Sequence, residues 1–160
     1  MVYHPFPPLF NENSKILILG SFPSVKSREQ LFFYGHPQNR FWKVVSAVFN
    51  QPTPESILQK REFLLENGIA LWDVIGSCEI SGSADSTIKN VTPNDLSVIL
   101  NHAPIEKIFV NGKTAFKYFE KYTKPILKTE AICLPSTSPA NAAYSLEKLI
   151  DYWKIIKSDF

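Results

Sequence analysis

The side chains best suited to chemistry lie in two loops far apart in the chain. One begins Gly20, Ser21, Phe22, Pro23, Ser24 and leads into Tyr34, Gly35, His36, Pro37, Gln38, Asn39, Arg40, Phe41, Trp42; the other reads Leu134, Pro135, Ser136, Thr137, Ser138, Pro139, Ala140, Asn141. With Lys26 and Ser27 behind it, the first invites a phosphate-loop reading. That reading fails at Val25, where a second glycine is needed for backbone amides to wrap phosphate. No dinucleotide fingerprint and no nucleophile elbow occurs either, so nucleotide hydrolysis falls to a minor reading. Hydroxyls beside backbone amides, as in the second loop, can grip phosphate oxygens; a Ser/Thr-rich turn capping the last helix is the plain alternative. Asn39 suits the cap of a helix opening at Arg40. Tyr34 is either a pocket wall or core, and His36 either a contact or the opening of a His-Pro turn. Asp73 either orients a pocket group or satisfies loop amides, and Asn111 is either pocket floor or half of a turn with Gly112.

Both loops need elements that bring them together. Continuous apolar runs over 15–20, 69–74, 106–111 and 131–134 read as parallel strands covered on both faces. Helical patterns lie between and after them, over 40–49, 55–67 closed by Gly68, 93–102, 113–121 and 145–157. Thr92, Pro93, Asn94 and Asp95 look like the capped start of the third. Alternation of strand and helix predicts an α/β fold, a three-layer α/β/α sandwich around a central four-stranded parallel sheet. In such folds ligands collect at the carboxyl ends of the strands. The loops after Gly20, Asp73, Asn111 and Leu134 then share one rim.

A length of 160 residues with 44% apolar content suits a single domain, 1–160. Apolar runs are too short to span a bilayer and the N-terminus lacks a basic region followed by an apolar one, so a soluble, cytoplasmic chain is expected, with no membrane partner. Cys78 and Cys133 form no Cys-x-x-Cys pair, which leaves a thiolate metal site without ligands; Cys133 reads as a small core residue. A net charge of +2 says little about partners.

Together the two loops resemble the signature loops of the uracil-DNA glycosylase superfamily. Gly20-Ser-Phe-Pro-Ser and Tyr34-Gly-His-Pro, with the segment from Leu71 to Ser86, are most similar to its hypoxanthine (deoxyinosine) DNA glycosylase branch. The mismatch-specific uracil/thymine enzymes have Gly-Ile-Asn-Pro-Gly in the first loop and the uracil-specific ones Gly-Gln-Asp-Pro-Tyr-His. Aligning the shared Gly and Pro puts Phe22 where those relatives hold the Asn or Asp that positions the attacking water. The run from His36 to Lys43 matches the His-Pro-x-Asn-Arg-Phe-Trp-Lys of the mismatch-specific enzymes, and the resemblance to the hypoxanthine branch implies that Asn39 is the catalytic residue. It further implies a base pocket of Phe22, Tyr34, His36, Asp73 and Asn111, with the flipped base stacked on Tyr34. DNA contacts would come from Ser24, Lys26, Arg40, Ser136, Thr137, Ser138, Pro139 and Asn141, the last loop's tip filling the gap left by the base. Arg28 and Lys113 border these loops as further cations. Lacking four cysteines, the chain falls outside the branches with an iron–sulfur cluster.

The resemblance implies a monofunctional glycosylase of base-excision repair, acting on damaged double- or single-stranded DNA. No metal and no organic cofactor is called for, and a monomer is expected. Deoxyinosine is the favoured lesion. The alternatives are a uracil or thymine mismatch enzyme of the same fold, and a catalytically silent DNA- or nucleotide-binding module that lost its water site at Phe22.

Overall fold

The four apolar runs become four neighbouring strands. The computed structural model describes residues 1–157. In chain order its elements are β1 (Val2–Tyr3), β2 (Ile16–Gly20), α1 (Val25–Gln30), α2 (Phe41–Val48), α3 (Ile57–Glu66), β3 (Ile69–Asp73), β4 (Ile75–Glu79) and β5 (Lys89–Pro93). They continue with α4 (Ser97–Leu100), β6 (Lys107–Asn111), α5 (Lys113–Tyr118), α6 (Lys124–Leu127), β7 (Ile132–Leu134) and α7 (Leu146–Trp153). The main sheet has four strands in the order β3-β2-β6-β7, all parallel. Successive side chains on a strand point to opposite faces. Every residue of β2 and of β3 is buried, so helices cover both faces and the expected α/β fold is present.

Registry aligns the strands' carboxyl ends. Gly20 pairs with Asp73, and Asn111 pairs with Leu134. The chain leaves β2 for β3 on one side and returns to β6 on the other, which makes the end of β2 a topological switch point. Such a point opens a crevice for ligands.

Helix boundaries follow local chemistry. Ser56 and Gln59 form a reciprocal capping box at the start of α3, and Gly68 takes φ +71° just beyond its end. Ser145 accepts from the Lys148 N–H to open α7. The helix expected over 113–121 runs on as a π-helical turn, Phe119–Thr123, into α6. Pro125 accounts for the irregularity, because its ring would clash with a carbonyl one turn back in a regular helix.

Two sequence expectations are corrected. The helix predicted over 93–102 shrinks to α4, because Thr92 pairs with Ser77 in an antiparallel ladder. Pro93 ends β5, an edge strand where a missing N–H costs no ladder bond. Asp95, not Thr92, makes the turn, accepting from both the N–H (3.0 Å) and the hydroxyl (2.7 Å) of Ser97. Cys133, expected in the core, is exposed on the edge strand β7, whereas Cys78 is buried.

A second sheet, β1-β4-β5, went unread in the sequence. Its middle strand is nearly continuous with β3, separated only by Val74, whose N–H donates to the Gly20 carbonyl at 2.8 Å. The N-terminal arm lies along both sheets. Val2 and Tyr3 pair with Cys78 and Ser77, and Leu9 exchanges backbone bonds with Leu71, covering the edge of β3.

On the far side of the molecule α7 packs against α2. Trp153 is wholly buried, meets the Phe41 ring edge-on at 5.9 Å, and donates its indole N–H to the Pro135 carbonyl at 2.9 Å. The last helix thereby pins the start of the second loop. Trp153→Phe removes this donor and leaves a void, at a cost of about 2 kcal/mol. Thermal unfolding should start from a midpoint lowered by roughly 4–8 °C for a chain of this size; an unchanged midpoint would show the indole to be dispensable.

Candidate active site

A cavity of about 280 Å³ opens at the carboxyl ends of the parallel strands. Gly20 permits its geometry. A Cβ at that position would sit 2.5 Å from Asp73 Oδ1 and 3.1 Å from Tyr34 Oη, so two polar groups converge over a bare strand end. Gly112 serves the neighbouring strand end in the same way, with φ +98° and a hypothetical Cβ 2.9 Å from Ser136 Cβ. Its N–H donates to the Leu134 carbonyl at 2.8 Å, which holds the two loop origins together.

Asn39 occupies one wall. Its Oδ1 accepts from the Phe41 N–H and from the Thr137 hydroxyl, both at 2.9 Å. The backbone donor fixes which end of the amide is oxygen. The helix begins one residue later than expected, with Arg40 at the N-cap, and Asn39 satisfies its first N–H from one position further out. Both carbonyl lone pairs are used, and Nδ2 has no partner among the described residues. The cavity therefore receives an N–H donor.

Thr137 links this amide to the strand end beside it. Its N–H donates to Asn111 Oδ1 at 3.0 Å, and Asn111 Nδ2 donates to Thr137 Oγ1 at 2.9 Å. The resulting chain runs Asn111 to Thr137 to Asn39, with each bond polarising the next. Thr137 is wholly buried, lines the cavity, and holds other side chains. Asn111 lines the cavity, with one N–H and one lone pair beyond those given to Thr137.

Tyr34 lines the cavity with its ring stacked on Phe41, centroids 4.1 Å apart. Its hydroxyl is buried without a hydrogen-bond partner. Burial, and then the nearby Asp73 carboxylate, hold the phenol far above its usual range, with the polar side chain of Asn111 opposing them. It stays a neutral donor. Asp73 Oδ2 takes a 2.7 Å hydrogen bond from His4 Nε2, and Oδ1 has no donor among the described residues. Phe22 is buried in the cavity wall under the Arg28 guanidinium, 5.6 Å from its ring centroid. His36 accepts from the Gln38 N–H through Nδ1 at 3.1 Å, which puts the proton of its neutral form on Nε2.

The cations expected at the DNA are largely committed elsewhere. Arg40 donates to the carbonyls of Tyr144, Ser138 (3.1 Å) and Asn141 (3.0 Å), so it braces the second loop from within. Arg28 donates to the Gly82 carbonyl at 2.6 Å. Lys26 and Lys113 are exposed, Lys26 with Glu29 3.6 Å away. Ser24 caps α1 and lines the cavity. Ser136 and Ser138 each accept a backbone N–H two residues on, and both line the cavity beside Pro139. Asn141 donates to the Ser136 carbonyl and stands outside the lining.

Two contributors escaped the sequence reading. His4 lies 69 residues from Asp73, and nothing local in the sequence points from one to the other. Asp85 also lines the cavity, at its mouth, where Ser21 Oγ approaches both carboxylate oxygens at 3.3 and 3.4 Å. Crowding raises this carboxyl above the ordinary range, the Ser21 hydroxyl opposes, and Asp73 reinforces. The segment around it resembled relatives, which was the available signal. Among the described residues no group of three or more His, Cys, Asp or Glu is placed to hold a metal ion, and no helix is long and apolar enough to cross a membrane.

Residues 7–157 match the model of the uracil DNA glycosylase superfamily, and the chain belongs to that superfamily. It is 36% identical over 141 residues to a hypoxanthine DNA glycosylase of Methanosarcina barkeri, covering 85% of this chain and 86% of the relative. A hypoxanthine DNA glycosylase of Methanosarcina acetivorans is 35% identical over 150 residues, covering 91% and 92%. A candidate uracil DNA glycosylase of Methanosarcina acetivorans, solved by solution NMR, superposes with a TM-score of 0.80 at 31% identity, covering 99% of this chain and 100% of that one. DNA is therefore the substrate, and base removal the class of reaction.

Thr137→Val keeps the shape of the bridging residue and deletes its hydroxyl. Buried amide groups of Asn111 and Asn39 lose their partner, at about 1–3 kcal/mol. Calorimetry should find Thr137→Val clearly less stable than Thr137→Ser; equal stabilities would refute the bridge.

Proposed function

We propose that the protein is a single-domain, monofunctional glycosylase that flips hypoxanthine out of deoxyinosine-containing DNA and hydrolyses its glycosidic bond. The carrying observation is the Asn39 amide, locked by Thr137 and Phe41 with its N–H directed to the cavity. Base departure leaves an oxocarbenium-like sugar that reacts with a weakly activated water. An amide N–H can hold that water by one lone pair and leave another for attack, which is positioning, not deprotonation. Asp73 and Asp85 line the cavity and no Lys or Arg does, a field that favours a cationic sugar. With no Lys in the lining, a Schiff-base lyase step lacks its amine.

The base edge suits hypoxanthine. Its ring N–H and neighbouring carbonyl form a donor and acceptor side by side. Asp73 Oδ1 meets the N–H, and the unpartnered Tyr34 hydroxyl meets the carbonyl. Adenine offers a ring lone pair to the carboxylate instead, and each such mismatch costs about 1–3 kcal/mol. Phe22, Tyr34 and His36 wall the pocket. Ser24, Lys26, Ser136, Ser138, Pro139 and Asn141 face the DNA, with Arg40 acting on it through the loop it braces. The protein works as a monomer, without metal or organic cofactor, on double- or single-stranded DNA. Relatives named for hypoxanthine support this reading. Uracil shows the same edge pattern, and the similar solved chain is a candidate uracil enzyme, which makes uracil the second reading.

Duplexes bearing inosine, uracil, xanthine or no lesion, incubated with EDTA and then cleaved by alkali at abasic sites, separate these possibilities. Cleavage of inosine ahead of uracil is expected. Preference for uracil establishes the second reading, and no cleavage of any lesion overturns the enzyme. Asn39→Ala should slow excision by about 10²–10³-fold, as losing one directed donor does elsewhere, with lesion binding retained; near-normal turnover would remove Asn39 from the mechanism.

A further inference from the structure

The N-terminal arm brings into the fold a buried polar group that the reaction outlined above does not use. His4 has a side chain only 3% exposed, and that of Asp73 is 6% exposed. Its backbone N–H donates to the Gly76 carbonyl at 2.8 Å, so pairing of the arm with the second sheet sets its place. The ring is caged by Phe6 at 4.5 Å, Phe22 at 6.0 Å, and Phe33 and Trp72 at 6.4 Å between centroids. Nδ1 finds no partner in that cage. A fifth apolar ring would fill such a space without stranding a nitrogen. What the imidazole adds is the single hydrogen bond from Nε2 to Asp73 Oδ2. His4 also precedes the stretch matched by the superfamily model, which begins at residue 7.

We propose that His4 is the positioning residue for base recognition: its Nε2–H holds Asp73 Oδ2 so that Oδ1 is turned toward the ring N–H of the flipped base. This rests on the hypoxanthine reading above. A buried carboxylate without a donor is costly and turns toward other partners. Oδ1 of Asp73 would then no longer face the ring N–H, and the correct base would lose its acceptor. Phe22 gains a role in the same device, since it closes one side of the cage that keeps water from competing for Nε2. His4 touches neither sugar nor base, and it acts only through Asp73.

Single-turnover excision of inosine from a duplex tests this with a double-mutant cycle. His4→Phe keeps an aromatic ring and should slow excision about 10- to 100-fold, the usual effect of losing a partner that orients a site residue. His4→Gln retains an N–H at similar reach and should restore most of the rate. Asp73→Asn needs no donor at Oδ2, so adding His4→Phe to it should cause no further loss. Multiplying losses would mean that His4 acts on packing alone, and a His4→Phe rate equal to that of the parent would equally overturn the proposal. Nitrogen-15 NMR of the unaltered protein checks the bond without any substitution: Nε2 should carry a proton, and an unprotonated Nε2 refutes it. If the parent protein leaves inosine intact, the hypoxanthine reading falls first and this inference with it.

Discussion

Everything at the rim depends on one buried hydroxyl. Thr137 belongs to the second loop, yet its side chain lies between Asn111 at the end of β6 and Asn39 at the start of α2. The backbone repeats the link, with the Arg40 N–H donating to the Thr137 carbonyl at 3.0 Å. A short amide on a loop would otherwise sample several rotamers. Here its oxygen is held from two directions, and the entropy of orientation is lost on folding instead of in the transition state. The Thr137 hydroxyl can be buried because it both accepts from Asn111 and donates to Asn39; left unpaired there it would cost more than an apolar residue in the same place.

That arrangement also explains the use of arginine. Arg40 spends its guanidinium on three carbonyls of the second loop, and Arg28 on Gly82 and the face of Phe22. Planar, permanently charged groups with several donors suit the bracing of irregular backbone, which has carbonyls to satisfy in many directions. Lys26 and Lys113 stay exposed, as compact, strongly hydrated charges on flexible stems do. Among the described residues the cavity lining holds the carboxylates of Asp73 and Asp85 and the imidazole of His36, with no lysine or arginine.

Much of this was legible in the sequence, for physical reasons that differ from part to part. The parallel strands announced themselves because burial on both faces demands unbroken apolar runs, and their shared rim followed from α/β topology. Asn39, Tyr34, Asp73 and Asn111 were nameable because they sit in or beside strand-end loops. The second sheet was hidden. Its strands carry polar residues such as Lys89, Asn90 and Thr92 on an exposed edge, where pattern is weak, and the Pro93 to Asp95 stretch imitates a helix start. The contacts that Thr137 and Arg40 make within the chain were hidden too, because hydroxyl and guanidinium groups look alike in sequence whether they face a phosphate or a carbonyl of their own chain. His4 carried no signal at all, since its partner is reached only after both sheets have formed.

Phe22 is where local reading and structure combine to most effect. A phenyl ring at position 22 makes one wall of the cavity apolar. The polar functions come from two other groups. Asn39, tied to the second loop, presents a donor from the wall, and Asp73, tied through His4 to the N-terminal arm, presents an acceptor from the floor. The ring itself helps to bury the His4–Asp73 bond, which strengthens it by excluding water. The two groups are thus anchored to different elements, Asn39 on α2 and the second loop, Asp73 on β3 and the arm that covers its edge. A change at the Asp73 end of the cavity can therefore leave the Asn39 amide in place, since the hydrogen bonds that hold the two have no residue in common.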